Sequence, residues 1–243
     1  MKAIILAAGR GSRMNSATDH QPKCFSKLHG KRLIEWQLEA LQQAGIDDIT
    51  IVRGYLAEAF QYCCKYIENP RWQETNMFRS LYTARDVLLS STCIVSYSDI
   101  IYSSNSVRRL LESVDDIAMT YDPNWLSLWS LRFSDPLSDA ETFKINTLGY
   151  VTEIGSRPQV VEEIQGQYMG LCRFTSMGWR IVEKSLSKFS EQDVDIMDMT
   201  GLFRHLILSG IKIKGIKIHE PWYEVDSLAD LEKYHRIDRN ALL

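Results

Sequence analysis

The chain has 243 residues, 45 % of them hydrophobic, and a formal net charge of −3 with acidic and basic residues interspersed. That size buries a substantial core as one α/β domain, and charge of this kind offers no basic stripe to nucleic acid. Five cysteines, Cys24, Cys63, Cys64, Cys93 and Cys172, form no C-x-x-C pair, which points away from zinc and disulfide frameworks and toward a reducing cytoplasm. Residues 2–8 read as a buried strand, too short for a signal peptide or a membrane span, running into the glycine loop Gly9-Arg10-Gly11-Ser12-Arg13. A helix is expected over Leu33–Ala44, with apolar positions at Leu33, Ile34, Leu38 and Leu41 and a stop at Gly45. Ile49–Val52 completes a right-handed βαβ unit, which sets the glycine loop at the carboxyl edge of a parallel sheet.

Arg53-Gly54-Tyr55 leads into an expected helix over Ala57–Tyr66, followed by a helix over Asn76–Leu89 and a strand over Cys93–Tyr97 that ends at Ser98-Asp99. From about Asp115 the pattern turns to short strands, notably Thr142–Asn146 and Tyr150–Ile154 around the turn Thr147-Leu148-Gly149. Gly178–Lys188 and Met199–Ser209 read as helices, Ile211–Ile218 as a strand and Leu228–Ile237 as a helix.

A strand that runs into a glycine loop lets backbone N–H groups close on a phosphate, since glycine tolerates the turn and leaves no Cβ in the way. Arg13 and Lys23 add two positive charges. The loop is not a Walker A sequence, because no Gly-Lys-Ser/Thr follows, and Met14 stands where a dinucleotide fingerprint needs its third glycine. Two carboxylates stand out: Asp99 after an apolar strand, and Asp226 in Pro221-Trp222-Tyr223-Glu224-Val225-Asp226. Either is also a natural cap or turn residue, and Glu224 is an alternative ligand. No pair of the five histidines has zinc-site spacing.

Leu6-Ala7-Ala8-Gly9-Arg10-Gly11-Ser12-Arg13, with Thr18, Pro22-Lys23 and the later Gly30-Lys31-Arg32-Leu33-Ile34-Glu35, resembles the nucleotidyltransferases that activate phosphorylated sugars and alcohols. Ser16 and Ala17 replace the Pro-Leu of sugar-specific members. The resemblance implies a Rossmann-like α/β fold with a mainly parallel mixed sheet and a small acceptor-binding elaboration. It implies Mg²⁺ held by Asp99 and Asp226, with Arg13 and Lys23 as the catalytic charges. Leu6, Ala7, Ala8 and Gly9 would floor the base and ribose, and Gly11 and Ser12 would surround the phosphates. The run Thr75-Asn76-Met77-Phe78-Arg79-Ser80-Leu81 is similar to the N-M-x-x-S-L segment of the phosphocholine cytidylyltransferase branch, which implies CTP, with Asn76, Ser80 and Ser98 in its site.

The implied reaction is cytidylyl transfer from CTP to a small phosphorylated or phosphonylated compound of the phosphocholine, aminoethylphosphonate or phosphorylated amino-acid type, with pyrophosphate released. Such an enzyme would serve a pathway that decorates a cell surface or builds a phosphonate. A sugar-1-phosphate nucleotidylyltransferase using another NTP, and a nucleotide-binding relative without turnover, are the alternatives. One domain is expected over 1–243, with a nucleotide-binding half to about 114, an acceptor-binding elaboration over about 115–220, and a closing segment over 221–243. The acceptor contacts expected are Lys144 for a phosphate, Glu163 and Gln167 for a polar group, and the Asp122–Trp125 loop for an amine. Membrane and nucleic-acid partners are not expected. Both a monomer and a homo-oligomer stay open.

Overall fold

The computed structural model describes residues 1–239 and 242. The strand β1 (Lys2–Ala7) is buried along nearly its whole length and lies in the interior of the sheet, paired on both sides. The hairpin β2 (Lys27–Leu28) and β3 (Lys31–Arg32) turns at His29 and Gly30, both with positive φ, and delivers the chain into α1 (Leu33–Gln43). The Arg32 N–H donates to Glu35 Oε2 at 2.9 Å, and Gly45 ends the helix at φ 86°, a conformation that suits glycine. β4 (Ile49–Arg53) then pairs with β1 in parallel.

The helix expected over Ala57–Tyr66 does not form. A single turn at Ala57–Ala59 gives way to β5 (Lys65–Glu68), an edge strand parallel to β4. Pairing with β4 outweighs the local pattern, and the aromatic and β-branched residues Tyr66 and Ile67 suit a pleated surface. The Asn76–Leu89 helix is two pieces, α2 (Met77–Thr83) and α3 (Arg85–Ser90), which meet at Ala84. β6 (Cys93–Tyr97) pairs with the other side of β1, and Asp99 separates it from the short β7 (Ile100–Tyr102).

In the second half, α4 (Ser104–Leu111), β8 (Ile117–Asp122) and α5 (Trp125–Arg132) are elements the sequence pattern did not announce. The hairpin β9 (Phe143–Ile145) and β10 (Val151–Ile154) follows as expected. The long β11 (Gln167–Phe174) precedes α6 (Ser176–Ser185), α7 (Glu191–Ile196), α8 (Met199–Leu208), β12 (Lys214–Lys217), β13 (Trp222–Glu224) and α9 (Leu228–Tyr234). The seven-stranded sheet has the order β12-β8-β11-β6-β1-β4-β5, and β11 alone runs against its neighbours. The α/β fold with a mainly parallel mixed sheet is therefore present. Apolar clusters cover both faces, one around Ile5, Leu33, Ile94 and Trp222, the other around Ile4, Phe78, Cys172 and Trp179. No described helix is long and apolar enough to cross a membrane.

Candidate active site

The glycine loop leaves the carboxyl end of β1, where strands stop and side chains can converge. Gly11 has φ 71°, and a Cβ there would lie 2.7 Å from the Cβ and Cδ of Lys23, so glycine lets the lysine stem pass beneath the loop. Tyr55 steadies the same segment: its N–H donates to the Ala8 carbonyl, and its hydroxyl donates to the carbonyls of Thr18 (2.7 Å) and Asp19 (2.9 Å). Ser12 and Arg13 remain exposed at the rim.

Asp99 and Asp226 are far apart in sequence, and a small antiparallel pairing brings them together. β13 pairs with β7, with Glu224 opposite Ile100, and the Val225 N–H donates to the Asp99 carbonyl at 2.9 Å. The buried Lys23 stands between the two carboxylates, its Nζ 2.7 Å from Asp99 Oδ2 and 2.6 Å from Asp226 Oδ1. Burial works against the lysine charge, but the two aspartates outweigh burial and raise its pKa. Arg13 also reaches Asp226 Oδ1, at 2.9 Å.

A third cation, Arg132, comes from α5. Its fully buried side chain holds Asp226 Oδ2 at 2.9 Å and also contacts Glu224 and Asp230. Burial opposes its charge, yet the surrounding carboxylates, Glu224 foremost, raise its pKa. Burial pushes Asp226 upward, but Lys23, Arg13 and Arg132 together hold it below its ordinary value. Glu224 goes the other way: burial and the Asp226 charge push it up to about 7 against the pull of Arg132. Arg132 carries no motif and was not expected; the one signal that points to it is a helical spacing that becomes evident once α5 is known. Trp125, Leu128, Trp129 and Arg132 fall on one helical stripe, so an arginine occupies the apolar face.

From Asp226 a cleft of about 200 Å³ extends over the carboxyl end of β6 and the amino end of the antiparallel β11. Its walls include Tyr97, Trp129, Asp139, Glu141, Phe143, Gln167 and Glu224, with Arg13 at the side of the glycine loop. Burial raises the Glu141 pKa, and Thr200 bonds to it. The Trp129 indole N–H is buried and has no hydrogen-bond partner among the described residues. The amide of Gln167 is buried and bonds to the backbone of Glu141, which fixes that part of the wall. Asp99 Oδ1 is likewise buried without a hydrogen-bond partner among the described residues.

The expected acceptor set separates here. Gln167 lines the cleft, whereas Lys144 pairs with Glu153 at 2.8 Å on the β9–β10 hairpin, and Glu163 Oε2 accepts from the Gln159 N–H. Asp122 accepts from the Trp222 indole N–H, and Trp125 donates to the Ile164 carbonyl from a buried position; neither lines the cleft. Lys144 was singled out from the run 139–144, yet the residues of that run that face the cleft include Asp139 and Glu141. Gly170 has φ 77°, and the group packed against it is the Tyr97 ring.

Of the residues expected around the nucleoside, Asn76 caps α2 by accepting from the Met77 N–H and donates from its own backbone N–H to the Asp195 carbonyl. The Ser80 hydroxyl is buried and accepts from Asn69 Nδ2 at 3.0 Å. Leu6, Ala7 and Ala8 are buried at the end of β1, with Gly9 exposed beyond them, and Ser98 is half-buried beside Asp99. Among the described residues no cluster of three or more His, Cys, Asp or Glu side chains could cage a metal. Two carboxylates, one with a free buried oxygen, suit a hard cation that takes its remaining oxygens from water and substrate, as Mg²⁺ does.

Residues 3–141 match the model of the MobA-like NTP transferase domain. The chain is 36 % identical to the CTP:phosphoglutamine cytidylyltransferase of Campylobacter jejuni, over 96 % of this chain and 98 % of that one. It is 41 % identical to the choline-phosphate cytidylyltransferase of Streptococcus pneumoniae, over 99 % of both. The solved inositol-1-phosphate CTP transferase from T. maritima has the same fold, with TM-score 0.75 and 19 % identity over 100 % of this chain and 98 % of that one.

Proposed function

The chain belongs to the MobA-like NTP transferase family and is a nucleotidyltransferase; from that premise we propose that it transfers the cytidylyl group of CTP to a small phosphorylated or phosphonylated acceptor. An acceptor oxygen attacks the α-phosphorus, a new P–O bond forms, and the bond to pyrophosphate breaks. Arg13 and Lys23 are the charges that meet the phosphates, with Gly11 and Ser12 supplying the loop around them. Leu6, Ala7, Ala8 and Gly9 floor the nucleoside, and Asn76, Ser80 and Ser98 border it. Asp99 and Asp226 would hold Mg²⁺, which when bound would offset the negative charge of the phosphates. Residues 1–243 work as one domain, in the cytoplasm.

The observation that carries this reading is the polarity of the cleft: cations at the glycine loop, carboxylates and aromatic rings at the far wall. Asp139, Glu141 and Glu224, with Trp129 and Tyr97, suit an acceptor whose far end is an ammonium group. This set takes the place first given to Lys144, Glu163, Asp122 and Trp125, and Gln167 stays in it as the residue that fixes Glu141. Sugar-phosphate nucleotidyltransferases are more distant relatives. Pyrophosphate release tests the proposal, with each of the four NTPs offered beside phosphocholine, 2-aminoethylphosphonate, phosphorylated glutamine and glucose-1-phosphate. Turnover is expected with CTP and an amine-bearing acceptor. A clear preference for glucose-1-phosphate overturns it.

A further inference from the structure

Lys23 occupies a position that any cation held by Asp99 and Asp226 also needs. Its Nζ lies within hydrogen-bond distance of one oxygen of each, while the second Asp226 oxygen is taken by Arg132. Only Asp99 Oδ1 is left open, and among the described residues no third acidic, histidine or cysteine ligand completes a metal site. We propose that in the free enzyme Lys23 is the counter-ion of the aspartate pair and keeps a divalent cation out, so that the metal enters with the nucleotide. This rests on the metal reading of Asp99 and Asp226 given above.

The physical argument is one of competition. A divalent cation and an ammonium that share the same carboxylate oxygens repel each other at close range, and burial leaves little water to screen them. The lysine must leave before the metal is held. Its stem is pressed against Gly11, so the path from the aspartates leads along the underside of the phosphate loop. A bound triphosphate offers the ammonium new anionic partners there, which frees the aspartate oxygens and brings more oxygens for the metal. Nucleotide and metal then favour each other's binding, and by linkage the coupling is reciprocal.

The test uses Mn²⁺ as the probe and reads binding, not turnover. In methyl-labelled full-length protein, the methyl signals of Ile100 and Val225, the neighbours of the two aspartates, report Mn²⁺ by paramagnetic broadening. Mn²⁺ alone should leave them sharp, and Mn²⁺ with CTP should broaden them. In K23M, which keeps the stem and drops the charge, Mn²⁺ alone should broaden both signals at a concentration at least about tenfold lower than in the parent protein. Equal broadening of the parent protein with and without CTP overturns the inference and leaves the metal reading standing. No broadening even with CTP removes the metal reading itself. Because the parent protein alone supplies both of these outcomes, the inference stays falsifiable if K23M fails to fold.

Discussion

In the proposed reading the phosphate end of the site comes from Gly9 to Lys23, one short stretch of chain with positive side chains that reaches the cleft through Arg13, while the proposed acceptor end takes Trp129, Asp139, Glu141, Gln167 and Glu224 from four separate segments and is rich in carboxylates. The first end is a backbone device: a glycine loop whose shape is set by local conformation and by the Tyr55 anchor. The second is a side-chain device, and its shape depends on the packing of α5, the β9–β10 hairpin, β11 and β13. Chemistry common to a family fits a local loop. Choice of acceptor fits an assembled wall, where one side chain changes without disturbing the phosphates.

The comparison breaks most sharply at the join between the two ends. D99N and D226N each keep side-chain volume but remove charge, and each should lower kcat by on the order of 10²-fold or more. Near-normal pyrophosphate release by either variant removes that carboxylate from the site. On the phosphate side, K23A should lower kcat by roughly 10²-fold while CTP affinity in calorimetry changes less, because its charge acts where negative charge gathers during attack. Lost affinity at unchanged kcat makes Lys23 an anchor only.

On the acceptor side, E141Q should lower kcat/KM for an ammonium-bearing acceptor roughly 10- to 150-fold, equivalent to about 1.5–3 kcal/mol, with KM for CTP unchanged. K144A and E163A should stay within about twofold, since neither side chain reaches the cleft. If K144A proves the more damaging, the acidic wall is not the acceptor site.

The smallest effect is a pH dependence that differs between binding and stability. Burial, with Asp198 and Asp139 nearby, raises the Glu141 pKa, so its proton is held more tightly in the folded chain than in the unfolded one. Its favourable contribution to folding is therefore present below the ordinary glutamate range and is lost as pH rises through the raised value. Acceptor capture follows the opposite course, because the ionised carboxylate attracts the ammonium. Melting temperature and acceptor KM should both fall as pH rises across this window, and E141Q should flatten both trends.

The same local and assembled division decided what could be read from the sequence. β1, the glycine loop, α1 and β4 are set by periodicity and by glycines that must take positive φ, and they were legible. The resemblance also reached Asp99 and Asp226, although their proximity depends on the β7–β13 pairing, which no local signal announces. Lys144 and Glu163 carry suitable chemistry but spend it on Glu153 and on a backbone N–H, and alternation alone does not say which face of a hairpin meets a cleft. The 57–66 segment failed for a related reason, since an open edge on β4 was a stronger determinant than helical spacing.

The β7–β13 pairing also fixes when the molecule becomes competent. A nascent chain released only as far as Pro221 already owns the glycine loop, Lys23 and Asp99, but lacks Asp226 and the strand that seats it. Arg132 would meanwhile wait without Glu224, Asp226 and Asp230, the three carboxylates that offset its charge. Synthesis of β13 and α9 thus acts as a safety catch: the pocket stays half-built on the translating ribosome until Asp226 and the strand that seats it have been made.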